Sequence, residues 1–184
     1  MSVAIDPVHW QVARWLLAGV FAAGFWHKLR TWEIFVVVVR DYRMLPAGTA
    51  PFAATLILLL EGLILVGLIS GIGLRTTAVL AALLLCVYGV AIAVNLVRGR
   101  RSIDCGCFGA AGDASGRHGL SAWLLVRNAA LIGVTGLVLA PVSARELVWL
   151  DTVAIVPGVV VATLIYFTTD QLLANRSILG RMTQ

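Results

Sequence analysis

The sequence predicts an all-α integral membrane protein, a single polytopic domain over residues 1–184 built as a bundle of about five transmembrane helices. Composition is the first observation behind this prediction: 60% of the 184 residues are hydrophobic and only 12% are charged, roughly half the charged fraction of an ordinary soluble domain. The second is that the apolar residues fall into long runs, each of a length that crosses a bilayer. Most of the helix surface must therefore face lipid.

The first half of the chain predicts three spans. The first covers residues 8–29, and Trp10 and Trp26 near its ends are about 24 Å apart along a helix, which matches the two interfacial belts of a bilayer. Residues 31–43 are apolar but too charged to span, and they predict a helix lying at the membrane interface. Pro46 and Pro51 end that helix. The second and third spans cover residues 52–69 and 76–97.

The second half predicts an aqueous loop and two further spans. Glycines and charges dominate residues 98–119, which therefore form the longest polar loop. The fourth span covers residues 120–140 and ends at Pro141. The fifth covers 147–169, with a bend expected at Pro157, and a short polar tail follows. The prediction is thus a core over residues 8–140 with an additional helix at 147–169.

The net charge of +5 indicates membrane topology rather than nucleic-acid binding, because the basic residues lie at helix ends and in short loops. The first apolar run has no basic residues before it, so we expect a retained helix rather than a cleaved signal peptide. Lys and Arg number ten on the side of the long loop and two, Arg75 and Arg145, on the other. This ratio favours a cytoplasmic loop, whereas a persistent disulfide there would favour the oxidising side; the orientation stays open.

Cys105 and Cys107 stand on either side of Gly106 in the long loop and form the motif most capable of chemistry. A disulfide across one residue closes a tight, strained ring, and strained, exposed disulfides suit exchange better than permanent cross-linking. Nearby Arg98 and Arg100 favour the thiolate form. The pattern thus predicts a redox-active pair.

Two other interpretations of this loop remain open. It could be a glycine turn with two incidental cysteines. It could also hold a metal with His118 and Asp104 or Asp113, although structural zinc sites usually place two to four residues between paired thiolates. The third cysteine, Cys86, lies alone in an apolar helix and is interpreted as a small packing residue.

Glu61 lies near the middle of the second predicted span. A bare carboxylate at that depth costs several kcal/mol, so Glu61 should be protonated or face a partner inside the bundle. The candidate partners are Lys28, Arg14 and Arg127. A structural interhelical bond and a proton or redox role both fit this placement.

The sequence resembles a known family, the methylamine utilisation protein MauE family, which is related to DoxX-like membrane proteins. The resemblance is carried by short motifs in a fixed order across residues 10–140. These motifs are Gly24-Phe-Trp-His-Lys-Leu29, Asp41-Tyr-Arg-Met-Leu-Pro46, Glu61, Arg98-Gly-Arg100, Asp104-Cys-Gly-Cys-Phe-Gly109 and Arg127-Asn128.

The resemblance implies a four-helix DoxX-like core with a fifth C-terminal helix, in the cell inner membrane. It also implies a role in maturing the disulfide-rich, secreted small subunit of methylamine dehydrogenase, beside a thioredoxin-like partner. The redox role would belong to Cys105 and Cys107.

The leading hypothesis is therefore a membrane thiol-disulfide carrier or oxidoreductase supporting disulfide formation in that subunit. The alternatives are a non-catalytic membrane chaperone or export factor, and a small-molecule transporter with Glu61 as its coupling group. No cofactor is identified, and a quinone would be compatible but has no supporting motif. Motifs of other enzyme classes are not found in the sequence, and the expected surroundings are membrane lipid.

Overall fold

A computed structural model describes residues 4–46, 48–100, 120 and 122–182, with side chains described as far as residue 172. Within these ranges the regular secondary-structure elements are all α-helices. The helices are α1 (Pro7–Arg30), α2 (Trp32–Asp41), α3 (Ala50–Ser70), α4 (Leu74–Val97), α5 (Ala122–Leu139) and α6 (Trp149–Met182). The predicted all-α membrane fold is confirmed.

Four of the helices, α1, α3, α4 and α5, enclose the main core, and α6 packs against α1 from outside. Side chains that fill the core are apolar and either small or branched, including Leu17, Ala54, Ile64, Ala78 and Ala81. Small residues let helix backbones approach closely where no hydrophobic effect drives association. The predicted arrangement of a four-helix core with one additional C-terminal helix matches this architecture.

Length and composition qualify four described helices as membrane spans: α3, α4, α5 and the part of α6 that ends at Leu172. Of the five predicted spans, α1 is the one outside this set. It is 24 residues long, like α4, but it carries Gln11, Arg14 and Lys28 among its apolar residues. Its neighbours are α3, α5 and α6, so protein rather than lipid surrounds much of it.

The start of α1 is fixed to the end of α5. Asp6 caps α1 by accepting a hydrogen bond from the Val8 N–H, and Ile5 forms an isolated β-bridge with Val142. The indole of Trp10 donates to the Val138 carbonyl at 3.0 Å. The N-terminus and the α5–α6 connection therefore lie at one end of the bundle.

At the opposite end, α2 lies where the sequence predicts an interfacial helix. Phe35 and Val38 are buried, whereas Glu33 and Arg40 are exposed, and the helix packs on α3. Tyr42, just beyond α2, packs on a small apolar cluster formed by Ile92, Leu120 and Leu124. The ends of α4 and α5 that flank the long loop are thus at the same end of the bundle as α2.

Helices α3 and α4 approach each other closely at one glycine. Gly67 faces Thr77, and a Cβ at position 67 would lie 2.3 Å from Thr77 Oγ1. Only a glycine allows this separation. The turn that joins the two helices contains Gly71 and Gly73, which have φ values of +79° and +59°, in the left-handed region that favours glycine.

Two predictions need correction. The fifth predicted helix, with its polar tail after residue 169, is instead one helix that continues to Met182. Residues 170–182 contain good helix formers and no proline, so nothing interrupts the backbone hydrogen bonds. Cys86 is exposed on α4 rather than packed inside the bundle, because it lies on the face turned away from the core.

Candidate functional site

The predicted redox pair, Cys105 and Cys107, lies outside the described residues. The segment that carries it joins α4 to α5. Its described flanks are Gly99 and Arg100 on one side and the buried Leu120 on the other. The alternative metal site with His118 falls on the same segment, and among the described residues no group of three potential metal ligands occurs.

A buried polar cluster lies in the half of the bundle nearest this segment. The Lys28 ammonium donates a hydrogen bond to Glu61 Oε1 and forms an ion pair with it, and each side chain is only 3% exposed. The Tyr88 hydroxyl donates to the same oxygen at 2.6 Å, and Lys28 Nζ lies 3.3 Å from that hydroxyl. Three helices, α1, α3 and α4, thus meet at one carboxylate oxygen.

Aromatic rings complete the surroundings of the lysine. Its Nζ lies 5.4 Å from the centre of the Phe35 ring in α2 and 5.1 Å from that of Tyr88. Ring faces attract cations, most strongly where water is excluded. The ammonium is therefore stabilised by one carboxylate and two rings, which explains how a charged side chain so close to the end of α1 is buried.

A small cavity adjoins the ion pair. It is lined by Lys28, Glu61, Tyr88, Arg127 and Asn128, and it has a volume of about 40 Å³ for the centres of water-sized molecules. Glu61 Oε2 and Asn128 Nδ2 are buried without a hydrogen-bond partner among the described residues. A cavity of this size with an acceptor and a donor on its wall fits water. Glu61 therefore has one oxygen held by Lys28 and Tyr88 and one available for a solvent hydrogen bond.

The structure decides between the three candidate partners of Glu61. Lys28 is the partner. Arg127 Nη1 instead donates to Asp170 Oδ1 at 3.0 Å and links α5 to α6. Arg14 donates from Nε to the Leu68 carbonyl at 2.6 Å and from Nη2 to Ile69 at 2.9 Å, which places it at the far end of α3.

The remaining predicted site residues, Arg98 and Arg100, lie at the end of α4 where the long loop begins. Arg98 is exposed, and its Nη1 is 3.5 Å from the Arg43 carbonyl. The Arg100 N–H donates to the Asn95 carbonyl at 3.0 Å. Both are outside the buried cluster, and the influence predicted for them on the cysteines stays a prediction.

Sequence reasoning missed Tyr88 and Asp170 as members of these polar contacts. Tyr88 lies in an otherwise apolar run of α4, and its hydroxyl is the only sequence signal that it needs a buried partner. Asp170 lies one residue beyond the predicted end of the last helix. Extending that helix by a turn would have identified Asp170 as a partner for Arg127.

Comparison with known proteins assigns the chain to a family. A model of "Methylamine utilisation protein MauE" matches residues 7–141. The chain is 39% identical over 152 residues to methylamine utilization protein MauE of Paracoccus denitrificans, covering 77% of each chain. The identity to the protein of the same name from Methylorubrum extorquens is 40% over 163 residues, covering 86% of this chain and 78% of that one. No solved structure matches. This chain therefore belongs to the MauE family, whose members are named for methylamine utilisation.

Proposed function

We propose that the protein is an inner-membrane thiol-disulfide carrier that supports disulfide formation in the small subunit of methylamine dehydrogenase. The observation that carries the proposal is the Cys105-Gly-Cys107 pair, placed in the segment that joins α4 and α5 of a MauE-family membrane bundle. Two thiols across one glycine suit a disulfide that is easily exchanged.

The proposed reaction is a balanced exchange between two proteins. A thiolate of the reduced subunit attacks one sulfur of the Cys105–Cys107 disulfide, and the other cysteine leaves as a thiolate. The second thiolate of the subunit then attacks the mixed disulfide and forms the subunit's own bond. Two electrons and two protons pass to the cysteine pair. A disulfide-bearing thioredoxin-like protein would reoxidise the pair by the same exchange in reverse.

The buried cluster supports a proton-handling role for the membrane bundle. Tyr88 lies nine residues before the end of α4, about 14 Å along the helix, and Asn128 lies in the first half of α5. These are the two helices that flank the cysteine segment. The free oxygen of Glu61 and its cavity provide a place to hold a proton close to the reaction side.

The test is an alkylation-shift assay in a Cys86→Ala background, which leaves two thiols. Mild oxidant should protect both from a maleimide reagent together, and reductant should expose both. The Cys105→Ser and Cys107→Ser single variants should each be examined for a heavier, reductant-sensitive adduct with a partner. Cys86→Ala alone is the matched control and should retain full activity.

The competing chaperone function gives the opposite results. If the Cys105→Ser/Cys107→Ser double variant yields wild-type amounts of mature, disulfide-bonded subunit, the carrier mechanism is wrong. A pair that stays fully reduced under mild oxidant contradicts it equally.

A further inference from the structure

Two depressions meet beside α2, at the end of the bundle that carries the cysteine segment. One is a polar basin of about 470 Å³ with Arg40, Asp41 and Arg43 on its walls. The other is an apolar groove of about 460 Å³ between α2, α3 and α4. Val39 and Leu45 line both, so the basin and the groove adjoin at these two residues.

The basin carries a positive charge at the interfacial end. Arg40 and Arg43 are exposed and carry no ion pair in the part of the chain that the structure describes. The Asp41 carboxylate on the same wall offsets one of these charges. Arg98 lies beside the basin without lining it, since its Nη1 approaches the Arg43 carbonyl. The basin therefore favours an anion even after Asp41 is counted.

The groove is lined by apolar side chains apart from Tyr42, Tyr88 and Cys86, and it runs inward from that end. Its floor on α4 extends from Ile92 to Leu83, nine residues and about 14 Å of helix. The wall contributed by α3 is Ile57, and α2 contributes Phe35 and Val38. This lining favours an occupant that is mostly hydrocarbon.

We propose that the basin and groove together bind one anionic phospholipid, with its phosphate between Arg40 and Arg43 and one acyl chain in the groove. The arrangement fits this occupant because the cationic basin lies at the membrane interface and the mainly apolar groove extends from it along the bundle. Neither a free phosphate nor a neutral lipid uses both parts.

The acyl chain has a specific neighbour. Phe35 and Tyr88 line the groove, and the centres of the same two rings lie 5.4 and 5.1 Å from Lys28 Nζ. The lipid chain thus covers the outer wall of the Lys28–Glu61 pair and excludes water from that side. This site does not depend on the proposed thiol exchange.

The test is native mass spectrometry of the detergent-purified protein, titrated with phosphatidylglycerol or with phosphatidylcholine of identical chains. We expect one phosphatidylglycerol to be retained in preference to phosphatidylcholine. The Arg40→Gln/Arg43→Gln variant should bind it more weakly, by about fivefold for each arginine removed. The matched control is Arg30→Gln/Arg75→Gln, which removes two exposed cations outside the basin.

A second pair of variants tests the groove. Val87→Trp fills it, and Val66→Trp adds the same bulk to an exposed position of α3 outside it. Only the former should abolish retention of the lipid. Glycerol 3-phosphate tests the headgroup alone and should not displace phosphatidylglycerol. Equal retention of both lipids, equal effects of the two arginine pairs, unchanged binding in Val87→Trp, or displacement by glycerol 3-phosphate would overturn the proposal.

Discussion

Lys28 of α1 and Glu61 of α3 form an ion pair in which both side chains are almost completely buried. The pair joins two helices that are separated in the sequence by the interfacial α2, and Tyr88 of α4 completes it. A buried charge is tolerated where an opposite charge and hydrogen bonds compensate for its lost hydration. Each member of the pair therefore depends on the other, which leads to the first prediction.

Replacing Glu61 with Leu should lower the free energy of unfolding by about 3–5 kcal/mol, because Lys28 is left buried without its partner. Glu61→Gln should cost less, since the amide still accepts a hydrogen bond. The double variant Lys28→Met/Glu61→Leu should recover much of the loss. Unfolding in detergent measures these differences, with the exposed Glu33→Gln as control. Wild-type stability and activity of Glu61→Leu would contradict the buried-pair interpretation.

The Tyr88 hydroxyl should contribute through Glu61 specifically. Tyr88→Phe keeps the ring beside Lys28 but removes the donor to the carboxylate, and we expect a cost of about 1–3 kcal/mol. The same substitution in the Glu61→Leu background should have little further effect. A double-mutant cycle measures this coupling, and additive effects would show that the hydroxyl acts elsewhere.

Gly67→Ala should separate α3 from α4. Its new Cβ would overlap Thr77 Oγ1, and overpacking of this kind costs about 1–3 kcal/mol. Gly89→Ala is the matched control in α4, because a Cβ at that position meets nothing within 4 Å. It should be neutral or slightly stabilising. Thermal unfolding of the two variants distinguishes a steric effect from a general effect of alanine, and equal melting temperatures would argue against tight packing.

Acid should weaken the contact between the N-terminus and the α5–α6 connection. The Val8 N–H and the Arg145 guanidinium hold the pKa of Asp6 below its ordinary value of 3.8. A lowered pKa in the folded state gives stability that is fully present above the unfolded pKa and is lost as the pH falls through the folded one. Asp6→Asn should therefore reduce the loss of melting temperature between about pH 6 and about pH 3. An unchanged pH profile in this variant would place the acid sensitivity elsewhere.

Hydrophobic runs were sufficient to locate the helices of the core, because each helix must cover its backbone with apolar side chains. They also indicated that Glu61 needs a partner. They could not identify which cation is that partner, because Lys28, Arg14 and Arg127 all lie in helices that could pack against the helix of Glu61. The partner depends on how each helix is rotated and on how far along the bundle each residue lies. Arg14 donates to carbonyls at the end of α3, and Arg127 donates to Asp170.

The last helix shows a different limit of sequence reasoning. Its apolar run ends close to Leu172, where the candidate span also ends, but the helix continues to Met182. Hydropathy reports the part of a helix suited to lipid, whereas backbone hydrogen bonding decides where the helix stops. For the same reason, Asp170 was not considered as a partner of Arg127, because it lies just beyond the apolar run that predicted the helix.

The composition of α1 has a consequence for biogenesis. Two of the three Lys and Arg side chains within its length have their partners in α3: Lys28 pairs with the Glu61 carboxylate, and Arg14 donates hydrogen bonds to the Leu68 and Ile69 carbonyls. A segment with two uncompensated cations partitions poorly into lipid by itself, and its compensation is synthesised only after α2 has emerged. α1 and α3 should therefore leave the translocon as one unit, so a nascent chain truncated before residue 50 would fail to integrate while one extended past residue 70 would succeed.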